Sequence, residues 1–223
     1  MKYLKEFENE ADVQVYVQPN VVLANDTGKV LYNVEPVKGV FIQHIDGKLY
    51  TTSQWTSEGF SNDLANGVAV CNGEVAFVMA KKVYSAIEWS SDTTTLIDGV
   101  TTTEDKDVAK ADFAGKENTK AILKTDTSEA AYRCANYVFP NGQKGYLPAL
   151  GELCVLAEFD DDDVMDAYTQ IGSFIAHTAY IRSSTQKNAT EAWVFNFYSG
   201  GVTYGQKSVN QGSTKVIPFT TLL

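Results

Sequence analysis

The chain has 223 residues, a mean hydropathy of -0.19 and 44% hydrophobic residues, enough apolar material for one large core or two small ones and too much for a disordered polymer. A formal net charge of -10 argues against nucleic acid as the partner of the whole molecule, because phosphate binding needs a basic footprint. No run approaches the ~20 apolar residues of a membrane span, and the first ten residues lack the apolar stretch of a secretory signal, so no membrane insertion is expected.

Residues 1–36 read as an arm. Val13–Val17 alternates as a strand, and Val21-Val22-Leu23 and Lys29–Tyr32 flank Asn25-Asp26-Thr27-Gly28 as a hairpin. The main body, 37–223, opens with two more hairpins. Val40–Ile45 and Lys48–Thr52 flank Asp46-Gly47, and Val68–Cys71 and Glu74–Met79 flank Asn72-Gly73, both pairs matching tight type I′ turns. Residues 90–127, dominated by Thr, Asp and Lys, read as loop.

Two helices follow. The first covers 128–137 with Thr127 or Ser128 as cap and Ala130, Ala131, Cys134 and Ala135 on one face. The second lies within 161–171 and stops at Gly172. Asp160–Asp163 read as a helix cap rather than a calcium loop, since four consecutive carboxylates cannot converge on one ion. Beyond it, Trp193, Phe195 and Phe197 share one strand face, the core face, and Val194, Asn196 and Tyr198 share the other. Gly200-Gly201 is the turn, Val202–Tyr204 the return strand and Val216–Phe219 a closing strand.

The charge is unevenly spread. From Ala167 onward there is one acidic residue, Glu191, against Arg182, Lys187, Lys207 and Lys215, so this stretch is +3 and the first 166 residues are -13. Ser, Thr, Asn, Gln, Gly, Tyr, Phe and Trp fill it, the mixture of rigid aromatic area and adaptable hydrogen bonding found in binding surfaces.

Two strings carry a family resemblance. Asn141-Gly142-Gln143-Lys144-Gly145-Tyr146-Leu147-Pro148-Ala149-Leu150-Gly151-Glu152 resembles a segment of C-type-lectin-like domains of gut bacteria and their phages. Ser183-Ser184-Thr185-Gln186, Ala192–Phe197, Gly200-Gly201-Val202 and Val216–Phe219 resemble the terminal pattern of the variable proteins of diversity-generating retroelements, and of relatives in phage tail fibres and adhesin tips. Arg182 and Ile217 depart from that pattern, which has Trp and Arg there.

The resemblance implies an α+β, C-type-lectin-like fold with two helices on small antiparallel sheets, a variable-type region at about 180–219, and a non-enzymatic receptor-binding role at a phage tail-fibre or adhesin tip. A structural virion or surface protein without an external ligand is the alternative. It places ligand contacts at Ile181, Arg182, Lys187, Asn188, Glu191, Val194, Tyr198, Thr203, Tyr204, Gln206, Ser208, Asn210, Gln211 and Ser213, with a bacterial surface protein or glycan as partner. Residues 1–36 would attach or trimerise the chain, and the product would work on a virion or leave as part of a larger assembly.

No cofactor or metal is expected. The calcium-lectin tripeptides are missing, neither His44 nor His177 has a second ligand nearby in sequence, and Cys71, Cys134 and Cys154 sit in apolar contexts as structural thiols. Catalysis has no candidate either. His177 beside Thr178 and Ser183 reads as structural rather than as half of a triad, no phosphate loop is present, and the formylglycine-generating type of enzyme that the resembled fold also hosts depends on C-terminal cysteines, of which this chain has none after Cys154.

Overall fold

In the computed structural model, residues 38–125, 127–208 and 213–222 are described in full, together with the backbone strands β1 (Tyr3–Phe7), β2 (Pro19–Ala24) and β3 (Val30–Val34). These three strands form an antiparallel sheet in the order β1-β3-β2, and the β2–β3 pairing matches the expected hairpin. The strand expected at Val13–Val17 lies outside the described residues.

The main body is α+β, built on two five-stranded sheets. One is antiparallel, in the order β13-β7-β6-β4-β5, and comprises β4 (Lys38–His44), β5 (Leu49–Tyr50), β6 (Ala65–Asn72), β7 (Ala76–Ala80) and β13 (Phe219–Thr221). The other, in the order β11-β10-β9-β12-β8, comprises β8 (Tyr84–Ser85), β9 (Tyr180–Gln186), β10 (Glu191–Asn196), β11 (Val202–Gln206) and β12 (Thr214–Val216). It is mixed, because β12 runs parallel to β9. Among the described residues there are six α-helices, α1 (Thr52–Glu58), α2 (Lys106–Lys110), α3 (Gly115–Ile122), α4 (Glu129–Asn136), α5 (Leu150–Cys154) and α6 (Asp161–Gln170). Among the described residues no helix is long and apolar enough to cross a membrane.

Both expected helices form. Ser128 Oγ caps α4 by accepting from the Ala131 amide, and Ala130, Ala131 and Cys134 are buried. Asp160 caps α6, three further aspartates fill its first turn, and Gly172 follows at φ 70°. Four more helices were not expected. Thr51, assigned to a strand, instead opens α1 through a reciprocal cap with Gln54. The 90–127 stretch contains α2, only five residues long, and α3, which opens on Gly115 after Ala114 with no side-chain cap to announce it.

The hairpins form with different turns. Only Gly47 and Gly73 are at positive φ, whereas type I′ needs it at both central positions. At the first, the Gly47 amide donates to His44 O, a turn closed by a left-handed glycine. At the second, Asn72 Oδ1 accepts from the Glu74 and Val75 amides, which holds Asn72 itself at negative φ. The expected single closing strand is two. Val216 ends β12 in one sheet, and Pro218, which cannot donate to a ladder, carries the chain to β13 in the other.

The principal core lies between the sheets and α5 and α6. Ile181, Trp193, Phe195 and Phe197 from the mixed sheet meet Ile42, Val68, Val70, Phe77, Met79 and Phe219 from the antiparallel one, with Leu150, Leu153, Val164 and Tyr168 from the helices. A second core, containing Trp89, Ile122, Ala131, Cys134, Leu147, Ala192 and Val216, covers the other side of the mixed sheet.

Candidate functional site

The two resembling strings come together in the fold. The Ser184 amide donates to Pro148 O at 2.6 Å, and the Leu150 amide donates to Thr185 Oγ1 at 2.9 Å. Asp112 completes the joint: its Oδ2 accepts from Thr185 Oγ1 at 2.7 Å and from Asn118 Nδ2 at 2.9 Å, and its Oδ1 from the Ala114 amide. Glu152 accepts from Tyr146 Oη at 2.8 Å and from the Ala149 amide at 2.7 Å. Burial pushes its carboxyl up to about 7, and the same burial, with Glu152 beside it, raises the Tyr146 hydroxyl. These motif residues are scaffold: Ser183, Ser184, Thr185 and Gln186 are fully buried.

Seven of the expected contact residues, Ile181, Arg182, Glu191, Val194, Thr203, Tyr204 and Gln206, lie on β9, β10 and β11. Antiparallel register sets Glu191 opposite Gln206, Trp193 opposite Tyr204 and Val194 opposite Thr203. At one end of this hairpin a polar cluster is assembled. Lys187 Nζ donates to Glu191 Oε2 at 2.6 Å and stands 3.9 Å from the centre of the Tyr204 ring, an amino-aromatic contact. Asn188 Nδ2 bridges Glu191 Oε2 and Glu104 Oε1. The hydrogen bond holds the Lys187 ammonium above, and the Glu191 carboxyl below, their ordinary ranges. Tyr204 also meets Trp193 edge to face at 6.1 Å, and Trp193 Nε1 is tied to Thr103 O. Tyr204 is therefore half-exposed on a fixed support, with the exposed Gln206 on the same face of β11 and the exposed Thr203 on the other face.

Tyr198, 63% exposed, belongs to the opposite end, roughly 20 Å from Glu191 along the strand. It packs on His177 at 4.3 Å, and His177 Nδ1 lies 2.9 Å from Asp161 Oδ2. Asp161, Asp162 and His177 bring three possible metal-ligating atoms within 4.8 Å of one another, a grouping that no local spacing reveals because His177 and Asp161 are 16 positions apart.

Three of the expected contacts are not available to a ligand. Ile181 is in the principal core, and Val194 and Arg182 are 4% and 2% exposed. The alternation of β10 is present, but the segment around Ile87 and Trp89 covers the face expected to be open. Trp89 Nε1 donates to Ser183 O, and Arg182 Nε donates to Ile87 O. Burial lowers the Arg182 guanidinium to about 10. Ser208 and Ser213 are exposed, while Asn210 and Gln211 lie outside the described residues. Glu104 and His177 join the two ends of the site without having been expected there.

No known family matches the sequence, and no curated protein matches it. Among solved structures, a fimbrial protein from Bacteroides ovatus has a similar fold, with a TM-score of 0.54 and 14% identity over 80% of this chain. The match spans 47% of that protein, so this chain corresponds to about half of its length. The likeness defines the class by architecture: an α+β domain of the kind found within that fimbrial protein.

Proposed function

We propose that this chain is a non-enzymatic recognition domain displayed on a cell or virion surface, with its ligand face on the β10–β11 hairpin. The carrying observation is the support beneath Tyr204: a ring held by Trp193 and Lys187 yet half-exposed, on the same face of an edge strand as the exposed Gln206. A rigid, amphipathic side chain on a preformed base loses little entropy on binding, which suits recognition. The sequence resemblance favours a C-type-lectin-like variable protein at a phage tail-fibre or adhesin tip, with low single-site affinity raised by repeated display. A bacterial surface protein or glycan would be the receptor.

The fimbrial neighbour favours a second reading, a structural subunit of a surface filament. One experiment separates them. Purified protein is tested against surface extracts of candidate gut bacteria beside a variant with Tyr198, Thr203, Tyr204 and Gln206 changed to Ala. Binding lost at unchanged melting temperature supports recognition. Self-assembly into filaments, with no binding to any extract, supports the structural subunit and sinks the recognition reading.

A further inference from the structure

We propose that a groove on the far side of the motif joint, between α3, the 143–146 segment and β13, binds an acidic saccharide. The cavity has a volume of about 310 Å³, at the small end of the range for ligand sites. Lys116 and Lys120 line it from α3, one helical turn apart and so on the same face, and Lys144 lines it from the facing segment. No acidic side chain lines it, in a chain whose net charge is -10. Among the described residues none of the three lysines makes an ion pair, although Lys48, Lys110, Arg133 and Lys187 all do. Glu117, the nearest acidic neighbour in sequence, is exposed and absent from the lining.

The remaining lining decides the ligand class. Leu123 and Ala135 offer an apolar patch for the C–H face of a sugar ring, and the exposed Thr221 offers a hydroxyl beside it. An extended acidic peptide would bind best by adding to the edge of β13. That edge is already taken: the Tyr146 and Phe219 backbones exchange hydrogen bonds at 2.8 and 2.9 Å, and Gln143 Nε2 donates to Thr221 O at 3.1 Å. A phosphate site would favour the bidentate fork of arginine, and no arginine lines the groove. What remains is a short ligand with hydroxyls and up to three carboxylates, one for each lysine.

The test is calorimetric titration of the full chain with trigalacturonate, a neutral trisaccharide, triglutamate and sodium acetate. Trigalacturonate is expected to bind with an affinity that falls several-fold between 50 and 500 mM salt, as screening requires. Changing Lys116, Lys120 and Lys144 together to Gln is expected to weaken it at least tenfold, with an unchanged melting temperature because all three side chains are exposed. Leu123→Ser, expected to weaken trigalacturonate binding several-fold, provides a second variant that acts on the patch without adding charge beside the lysines. The Ala variant of the hairpin face should bind trigalacturonate as the native protein does, which separates this site from the proposed receptor face. Equal binding of the neutral sugar or of triglutamate, loss of nothing in the lysine variant, or no uronate binding at all would each overturn the proposal.

Discussion

Glu152→Gln isolates the energetic cost of the buried carboxyl at the joint. Glu152 is 8% exposed, and burial, the dominant cause, raises it from an ordinary value of 4.5 to about 7, while its bonds from Ala149 and Tyr146 pull the other way. A carboxyl whose folded-state value is raised favours folding in its protonated form. That stability is complete below pH 4.5 and is lost as pH rises through 7. A shift of about 2.5 units corresponds to about 3 kcal/mol. Glutamine imitates the protonated group: its carbonyl can accept from the Ala149 amide and its amide can donate to Tyr146 Oη. The expected outcome is a difference in unfolding free energy, native minus variant, that falls by about 3 kcal/mol between pH 4.5 and 8 and is flat above that. Urea unfolding at half-unit pH intervals measures it. Parallel curves, within about 0.5 kcal/mol across the window, would refute the assignment of a neutral Glu152 to the folded protein at mildly acid pH.

Asp112→Ala should cost about 3 kcal/mol, because it strands the buried donors of Ala114, Asn118 and Thr185, and Asp112→Asn should recover part of that; urea midpoints would show it. Gly67→Ala should destabilise by about 3 kcal/mol, since a Cβ there runs into the backbone oxygen of Met79 on the neighbouring strand and meets Val78 Cγ1 at 2.9 Å; a variant that melts like the native protein would contradict the tight β6–β7 packing. Lys207 is fully buried and burial lowers it to about 8, so it binds protons less readily folded than unfolded. Native stability relative to Lys207→Met should therefore rise with pH from 8 toward 10.5, and a falling or level difference would show that the ammonium is solvated.

The parts of the fold that show in the sequence are those fixed by local chemistry. Ser128 before an alanine face, Asp160 before three aspartates, and glycines at 47, 73 and 172 each impose a cap or a left-handed residue whatever lies elsewhere. The parts that do not show depend on distant chain. Nothing in Val194 and its neighbours reports that Trp89 will cover their open face from more than 100 positions earlier, so alternation predicted an exposed stripe where two cores meet. Likewise Pro218 is read as the interior of one strand until the sheets are seen to separate there. At the candidate site, Tyr198, Thr203, Tyr204 and Gln206 are exposed as expected, but they form two ends of a hairpin rather than one patch, and Glu104 and His177 reach it only through tertiary folding.

The polarity of the C-terminal third therefore has two origins. Ser183, Ser184, Thr185, Gln186, Arg182 and Lys207 are polar and buried, and their groups are used internally: Ser183 Oγ donates to Trp193 O, Thr185 Oγ1 to Asp112, Gln186 Nε2 to Thr102 and Lys207 Nζ to Gln186. A buried hydrogen-bonded network tolerates little change, because removing one partner leaves another unsatisfied. Tyr198, Thr203, Tyr204, Gln206, Ser208 and Ser213 are polar or amphipathic and exposed, and substitution there leaves the network intact. Composition alone merges the two sets, and only register and the covering segment at Ile87–Trp89 separate them. A surface meant to vary in sequence would have to be confined to the second set, and the first set is what would keep the backbone of β11 in place while it did so.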